Sequence, residues 1–276
     1  AARRGVFLGG FLEVRSLLQR DPVVDVFVAS RLETGGLEPW RLGAELWGFG
    51  DRSRLESLCY SGPNLVPVQC TPDAAKAFAE RARRQGRRCS SIVGPAIVVE
   101  QLWAGLSSHW SRPRESRLRQ PLMAIDHPPL VAADPEVRLV RPEEIDILLP
   151  ACIQMFTEEV GVSPLAQDGG ALYRARIEEL ISHNLAWARI QDGQVVFKAE
   201  VGCATAQACQ VQGVWVHPSQ RGLGIGTAGM AAVVEQARTS VSPVVSLYVN
   251  DFNTQARKAY EKVGFREIGT FASILF

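Results

Sequence analysis

The chain has 276 residues, which is enough for one large domain or two of ordinary size; 46% of the residues are hydrophobic and 21% are charged. This composition is typical of a globular protein and excludes a disordered chain. The formal net charge of +1 gives no electrostatic reason to expect a nucleic acid or a membrane as partner. No apolar run approaches the length of a membrane span.

In the first half, apolar spacing and turn residues predict alternating helices and short strands. In chain order these are helices at 11–20 and 23–32, strands at 45–50, 54–60 and 65–70, a helix at 72–84, a strand at 89–93, a helix at 95–110 and a strand at 118–125. We expect the first two strands to form a hairpin across residues 51–53. Thr71 before Pro72 is a typical helix start, because the hydroxyl can cap the helix and proline suits its first turn.

A proline-rich segment follows and predicts a linker over residues 127–135. The second half repeats the pattern of helices and strands. Its predicted elements are a strand at 137–140, a helix from 142 to about 160, a loop at 160–170, a helix at 171–183, strands at 185–190, 195–203 and 209–216, a helix at 227–239, a strand at 244–249, a helix at 254–262 and two strands within 265–276. Asp192-Gly193 predicts the hairpin turn between the first two of these strands after the loop.

The shared order of elements indicates a duplicated fold, so the sequence predicts domains over residues 1–126 and 136–276. We expect an α/β class, in the mixed-sheet (α+β) sense, with each copy a twisted mixed sheet flanked by helices. Six cysteines are scattered without a C-x-x-C pair, which argues against a metal site. Reduced, buried thiols suit a cytoplasmic protein. The cysteines are Cys59, Cys70, Cys89, Cys152, Cys203 and Cys209.

The most informative stretch is residues 214–227, where an apolar strand turns through alternating glycines into an Ala-rich helix. Backbone amides in such a turn, together with the helix dipole, bind phosphate, and glycine allows the ligand to approach closely. Residues 224–229 also fit the dinucleotide pattern G-x-G-x-x-G, with Asp251 as its acid. That pattern belongs early in a strand–helix–strand unit, so its late position here disfavours a dinucleotide. A plain tight turn is the remaining alternative.

Residues 221–226 read R-x-x-G-x-G, and residues 253–265 read N-x-x-A-x-x-x-Y-E-x-x-G-F. With both patterns in register, residues 136–276 resemble the GNAT acyltransferase superfamily. The first half is similar to a poorly characterised domain that precedes GNAT domains in some high-GC bacterial proteins. The resemblance therefore implies tandem GNAT-like domains, the first of them degenerate. Residues 65–73 contain no glycine turn, so we do not expect the first half to bind coenzyme A (CoA).

The resemblance implies acetyl-CoA as co-substrate, without a metal. The residues that it assigns to acetyl-CoA binding are Val214, Trp215, Val216, Arg221, Gly222, Leu223, Gly224, Ile225, Gly226, Thr227, Asn253 and Tyr260. It further implies that an amide near Val216 polarises the thioester carbonyl and that Tyr260 protonates the leaving thiolate. Three of these side chains have a structural alternative: Asn253 as a helix N-cap, Tyr260 as a core residue and Arg221 as a solvated turn residue.

The resemblance does not supply the general base, because Gln210 and Gln212, which cannot accept the proton, stand where many GNAT enzymes carry a glutamate. Glu200 on the neighbouring strand is the next candidate; its alternatives are a surface strand residue or an ion pair with Lys198 or Arg189. Glu158 and Glu159 are further candidates, and a water relay could replace them all.

The sequence thus predicts an N-acyltransferase that passes an acetyl group from acetyl-CoA to an unidentified amine by direct attack. The alternative is an acyl-CoA-binding sensor or interaction protein without catalysis. A homodimer is left open.

Overall fold

A computed structural model describes residues 5–7, 11–51, 54–166 and 168–276. The chain divides into two compact units. The first unit comprises Ala1–Met123, Tyr248–Phe252 and Glu267–Phe276, and the second comprises Ala124–Leu247 and Asn253–Arg266. Each unit thus draws on more than one stretch of the chain.

The first half of the chain contains β1 (Gly5–Phe7), α1 (Phe11–Leu18), α2 (Val26–Gly35), α3 (Pro39–Leu42), β2 (Glu45–Asp51), β3 (Arg54–Ser61), β4 (Asn64–Val68), α4 (Pro72–Gln85), β5 (Ser91–Pro95), α5 (Ala96–Leu106) and β6 (Glu115–Ile125). The second half contains β7 (Arg138–Leu139), α6 (Ile145–Val160), α7 (Ala171–Ser182), β8 (Ala186–Gln191), β9 (Gln194–Ala204), β10 (Ala208–Val216), α8 (Ile225–Ser240), β11 (Val244–Tyr248), α9 (Thr254–Val263) and β12 (Arg266–Leu275).

The first unit is built on a mixed sheet. Strands β1 to β4 pair antiparallel in chain order, and β4 then pairs parallel with β5. The predicted β2–β3 hairpin is confirmed, although its turn residues 52–53 lie outside the described part of the chain. Helix α4 starts as predicted: the Thr71 hydroxyl accepts a hydrogen bond of 3.3 Å from the Ala74 amide. This cap satisfies one of the amide groups that a helix start leaves unpaired.

The last strand of the chain corrects one prediction. The residues from 265 to 276 do not form two strands around Gly269 or Phe271; a single strand, β12, covers Arg266–Leu275. Gly269 is not among the glycines with a left-handed backbone, so nothing turns the chain there. Strand β12 pairs antiparallel with β5, with Phe271 opposite Pro95 and Leu275 opposite Ser91. The C-terminal strand therefore belongs to the strands of the first unit.

The strands of the second unit also run in mixed directions. Strands β7, β8, β9 and β10 pair antiparallel in that order, and β10 pairs parallel with β11. The β8–β9 turn is the predicted one: Asp192 and Gly193 have φ of 51° and 73°, which a two-residue hairpin turn requires. The loop after α6 is also as predicted, apart from residue 167, which lies outside the described residues.

The strands of the two units share a topology, which confirms the predicted fold class. In each, a short strand and then helices, which are α1 to α3 in the first unit and α6 and α7 in the second, precede three antiparallel strands, and a helix then crosses over to a parallel fourth strand. The crossover helix is α4 in the first unit and α8 in the second. The junction between β10 and α8 is where the glycine stretch lies.

The proline-rich segment is tied to the second unit by several contacts. The Leu130 amide donates to the Val263 carbonyl at 2.8 Å, and the Asp134 amide donates to the Ala228 carbonyl at 3.0 Å. Asp134 is buried and forms an ion pair of 3.0 Å with Arg189 on β8. These contacts fasten the segment to α8, α9 and the sheet.

Candidate active site

Strand β10 has one free edge at its C-terminal end. It pairs with β9 along most of its length, but its described ladder with β11 covers only Ala208 to Gln210. From residue 211 onwards, β11 no longer pairs with that edge. An extended ligand can add to such an edge as if it were another strand.

A bulge interrupts β10 beside this edge. The register between β10 and β9 shifts between Gln212 and Trp215, so that Gly213 and Val214 lie outside the ladder. Gly213 has φ of +61°, a conformation that glycine adopts without strain. The bulge leaves the backbone groups of Gly213 and Val214 outside the β9–β10 pairing.

The backbone of Val216 is directed at the free edge. Trp215 lies opposite Lys198 on β9, and the His217 amide donates to the Val196 carbonyl at 2.9 Å. Because successive residues of a strand direct their amides to opposite edges, the N–H and C=O of Val216 point away from β9. Its carbonyl accepts a hydrogen bond of 3.0 Å from Arg221 Nε. The side chain of Trp215, by contrast, is buried in the core with residues of α6 and α7. Only the backbone of Trp215 can therefore contact a ligand.

The glycine turn follows directly. Gly222 and Gly224 have φ of +80° and +81°, and an added Cβ at either position would meet no atom within 4 Å. The side of the turn that these glycines face is therefore open. Residues 221–224 are exposed, and Leu223 projects 69% of its surface into solvent.

The backbone amides of this turn form a potential anion site. Among the described residues, no hydrogen bond is donated by the amides of residues 222–227. The amides of residues 222–224 belong to the glycine turn, and those of residues 225–227 belong to the first turn of α8. The dipole of α8 adds partial positive charge there. Six consecutive free N–H groups at a helix N-terminus can bind a diphosphate group.

A further glycine serves packing. At Gly229 an added Cβ would lie 2.7 Å from the ring of Phe197 on β9. The third glycine of the G-x-G-x-x-G pattern thus allows α8 to pack close to the sheet. This packing explains the glycine at position 229 without a ligand.

Arg221 extends from the turn to α6. Its Nη2 lies 2.8 Å from Glu158 Oε2, and both side chains are substantially exposed. Partial burial opposes ionisation of Glu158, but Arg221 and a hydrogen bond from Gln154 outweigh it and hold its pKa below the ordinary value. A carboxylate in this state is a weak base.

Two predicted residues lie on α9 and its start. Asn253 Oδ1 accepts a hydrogen bond of 3.2 Å from the Ala256 amide, so Asn253 does cap the helix. Tyr260 is 7% exposed and packs against Phe265. Burial, with a smaller contribution from Glu159, raises the pKa of Tyr260 well above 10. The phenol therefore remains protonated over the whole physiological pH range.

Glu200 lies beneath the bulge rather than at the surface. Its side chain is 5% exposed, and its Oε2 lies 3.1 Å from Nζ of the fully buried Lys198. Of the roles that the sequence leaves open for Glu200, this geometry favours the ion pair over the general base, because a base must reach the acceptor amine or a water molecule.

Sequence reasoning missed the polar groups around that ion pair. The buried thiol of Cys152 on α6 interacts electrostatically with Lys198, and the Tyr173 hydroxyl donates to the Cys152 carbonyl at 3.0 Å. Burial and the nearby Cys152, Glu200 and Glu159 raise the pKa of Tyr173. Cys152 and Tyr173 belong to no sequence motif, so the sequence did not point to them. The one available signal was that Lys198 and Glu200, two residues apart on a strand, lie on the same face.

Parts of the chain are similar to known proteins. Residues 163–265 match the model of the Acetyltransferase (GNAT) family, and residues 44–148 match a domain of unknown function, DUF4081. Over 97 residues the chain is 34% identical to the peptidyl-lysine N-acetyltransferase YjaB of Salmonella typhimurium. That match covers 35% of this chain and 63% of the relative's length.

Solved structures show the same fold. A GNAT-family acetyltransferase from Colwellia psychrerythraea superposes with a TM-score of 0.56 at 13% identity, over 99% of each chain. A tandem GNAT protein from the clavulanic acid biosynthesis pathway gives a TM-score of 0.53 at 13% identity, over 99% of this chain and 98% of that one. The fold is that of the GNAT acetyltransferases in tandem form. The model of the GNAT acetyltransferases thus matches part of the second half of the chain, and the DUF4081 model matches a stretch that precedes it.

Two further features concern the part of the chain that the structure describes. In this part of the chain, no helix is long and apolar enough to cross a membrane. No three or more His, Cys, Asp or Glu side chains among these residues are grouped so that they could hold a metal ion.

Proposed function

We propose that the protein is an N-acetyltransferase that transfers the acetyl group of acetyl-CoA to an amine. The observation that carries the proposal is the six free amides of residues 222–227 beside the free edge of β10. A diphosphate with an extended amide-bearing arm matches this pair of features, since the amides bind the anion and the strand edge pairs with the arm.

In this proposal acetyl-CoA supplies the activated thioester, and the chain holds it at three places. The turn binds the diphosphate, Val214 and Val216 pair with the arm, and Asn253, which keeps its Nδ2 for a ligand while Oδ1 caps α9, bonds the arm as well. The Val216 N–H then lies at the strand edge where a carbonyl oxygen that gains negative charge needs a donor.

The reaction is a direct transfer. The lone pair of the amine forms a C–N bond to the thioester carbon, the C–S bond breaks, and the sulfur leaves as a thiolate. Tyr260, whose phenol is protonated at neutral pH, donates its proton to that thiolate. The amine loses one proton in the same sequence, through water to solvent, and Tyr260 regains its own from solvent. A reaction that consumes acetyl-CoA fits the cytoplasm.

A second function deserves a test because of one observation. In β9 and β10 the only carboxylate is Glu200, and it is paired with Lys198. A protein that binds acyl-CoA without transferring it needs no base at the acceptor side. This alternative predicts the same cofactor binding and no turnover.

The test has two stages. Calorimetry with CoA checks the binding site, and release of free thiol from acetyl-CoA over a panel of amines checks transfer. The panel holds amino acids, polyamines and lysine-containing peptides, the last because one relative is named a peptidyl-lysine acetyltransferase. Binding with turnover supports the enzyme, and binding without any acetylated product supports the second function. No binding of CoA contradicts both.

A further inference from the structure

A buried ion pair lies directly under the β10 bulge. Lys198 has no exposed surface, and Glu200 is 4% exposed. Lys198 Nζ lies 3.1 Å from Glu200 Oε2 and donates a hydrogen bond of 2.7 Å to the Gly213 carbonyl. The ammonium thus connects β9 to the residue at which β10 leaves its regular pairing.

The charge on Lys198 is well compensated. Burial alone would favour the neutral amine, but Glu200 and Cys152 together outweigh it and raise the pKa of Lys198 above its ordinary value. A buried pair of this kind costs desolvation free energy and contributes little net stability compared with apolar side chains of the same size. Stability therefore does not explain why this ion pair is buried between two strands of the sheet.

The shape of the bulge provides that reason. A Cβ at Gly213 would lie 2.6 Å from Glu200 Oε1 and 2.9 Å from Lys198 Nζ. The bulge and the ion pair therefore occupy adjoining space with no room between them. The left-handed backbone of Gly213 brings its carbonyl to Lys198, which removes it from the ladder with β9.

We infer that Lys198 and Glu200 are positioning residues for the acyl-CoA arm: by holding the Gly213 carbonyl, they fix the bulge and keep the backbone of Val214 and Val216 turned to the free edge. This inference rests on the proposed function, because it assigns the ligand of that edge. It also gives Glu200 a role that differs from the general base suggested by its place on the neighbouring strand.

The two roles of Glu200 have different consequences. A general base acts on the acceptor amine, so that its loss lowers kcat and leaves CoA binding unchanged. A positioning pair acts on the strand edge, so that its loss weakens CoA binding. It leaves the diphosphate site of residues 222–227 intact, because none of those amides contacts the pair.

The experiment measures the dissociation constants of CoA and of ADP, which carries a diphosphate but no pantetheine arm. Wild type is compared with Lys198→Met and Glu200→Gln. We expect both variants to weaken CoA binding by about tenfold or more, the effect of losing one or two backbone hydrogen bonds to the ligand, and to change ADP binding by less than about twofold. Glu144→Gln is the matched control: it removes a buried carboxylate of the same unit that pairs with Arg138 and Arg141 away from the bulge.

A further variant tests the bulge without removing either buried charge, in case Lys198→Met or Glu200→Gln does not fold. Gly213→Ala keeps both charges but forces the bulge to shift, and it should reproduce the selective loss of CoA binding. Unchanged CoA binding in the variants that fold would overturn the inference, as would a lower kcat in Glu200→Gln with normal CoA binding. Equal losses of CoA and ADP binding would also contradict it, since they indicate general damage. Failure of the wild type to bind CoA would instead refute the proposed function, and the inference with it.

Discussion

Arg221 Nη2 lies 2.8 Å from Glu158 Oε2, which ties the first residue of the glycine turn to the C-terminal end of α6. The two side chains are 44% and 41% exposed. An ion pair so open to solvent contributes about 0–1 kcal/mol to folding, so stability does not explain its place. The same guanidinium lies next to the proposed diphosphate site, where a phosphate would compete with Glu158 for it.

Replacing Glu158 by Gln should therefore strengthen CoA binding. The change frees Arg221 for the diphosphate and removes a negative charge from the site, and we expect a gain of roughly twofold to fivefold at low salt. Calorimetric titration with CoA measures it. Glu136→Gln is the control, since Glu136 is an exposed carboxylate of the same unit that pairs with Arg189 at 2.8 Å. Weaker CoA binding in Glu158→Gln would show that Arg221 acts only through its ion pair.

Gly224→Ala tests the anion site against a matched glycine. Gly224 and Gly193 have φ of +81° and +73°, and an added Cβ meets open space at both. Alanine should thus cost a similar 1–2 kcal/mol of unfolding free energy at each position, roughly the strain of a left-handed backbone. Only Gly224→Ala should weaken CoA binding, because only its amide and its neighbours face the ligand.

Urea unfolding and calorimetry measure the two quantities separately. Equal CoA binding by Gly224→Ala and Gly193→Ala would contradict the assignment of the turn. A loss of CoA binding in Gly193→Ala would mean that destabilisation alone weakens the site.

Tyr260→Phe should lower kcat by about 100-fold, near the lower end of what a general acid contributes, while the affinity for CoA remains close to that of the wild type. In the proposed mechanism the variant loses the hydroxyl that protonates the leaving sulfur, while the ring keeps its packing against Phe265. Steady-state thiol release measures kcat. Tyr60→Phe, which changes a buried tyrosine of the first unit, is the control. Full activity in Tyr260→Phe would make Tyr260 a core residue only.

The raised pKa of Asp25 should make the stability of the first unit depend on pH. This buried carboxyl accepts a hydrogen bond of 2.7 Å from Gln69, but burial and the nearby Asp21 raise its pKa to about 7. Because the folded-state pKa is above the unfolded value of about 3.9, the stabilising effect is full below pH 4 and is lost as the pH rises through 7. The difference corresponds to at most roughly 4 kcal/mol.

Asp25→Asn keeps the hydrogen bond and cannot ionise. The variant should be more stable than wild type at pH 8, and its unfolding free energy should change less between pH 5 and pH 8. Urea titrations at the two pH values test this, with Asp73→Asn, an exposed aspartate at the start of α4, as control. A variant that is less stable than wild type at pH 8 would contradict the role given to Asp25.

Local signals accounted for most elements of the fold. Thr71 and Asn253 cap their helices, and Asp192-Gly193 turns its hairpin, because each of these depends on groups within a few residues. The β12 prediction failed for the opposite reason. Gly269 looked like a turn, but pairing of the last strand with β5, which is remote in sequence, keeps residues 266–275 extended.

The sequence by itself determined the glycine turn and the family, because alternating glycines before a helix N-terminus and the second motif at residues 253–265 are local patterns. Only the tertiary structure decided the environment of Glu200. Sequence spacing places Lys198 and Glu200 on one face of β9, but whether that face meets solvent or the bulge of β10 depends on the neighbouring strand. Burial and electrostatic pairing arise between distant segments, and so the difference between a base and a positioning residue appears only in the folded chain.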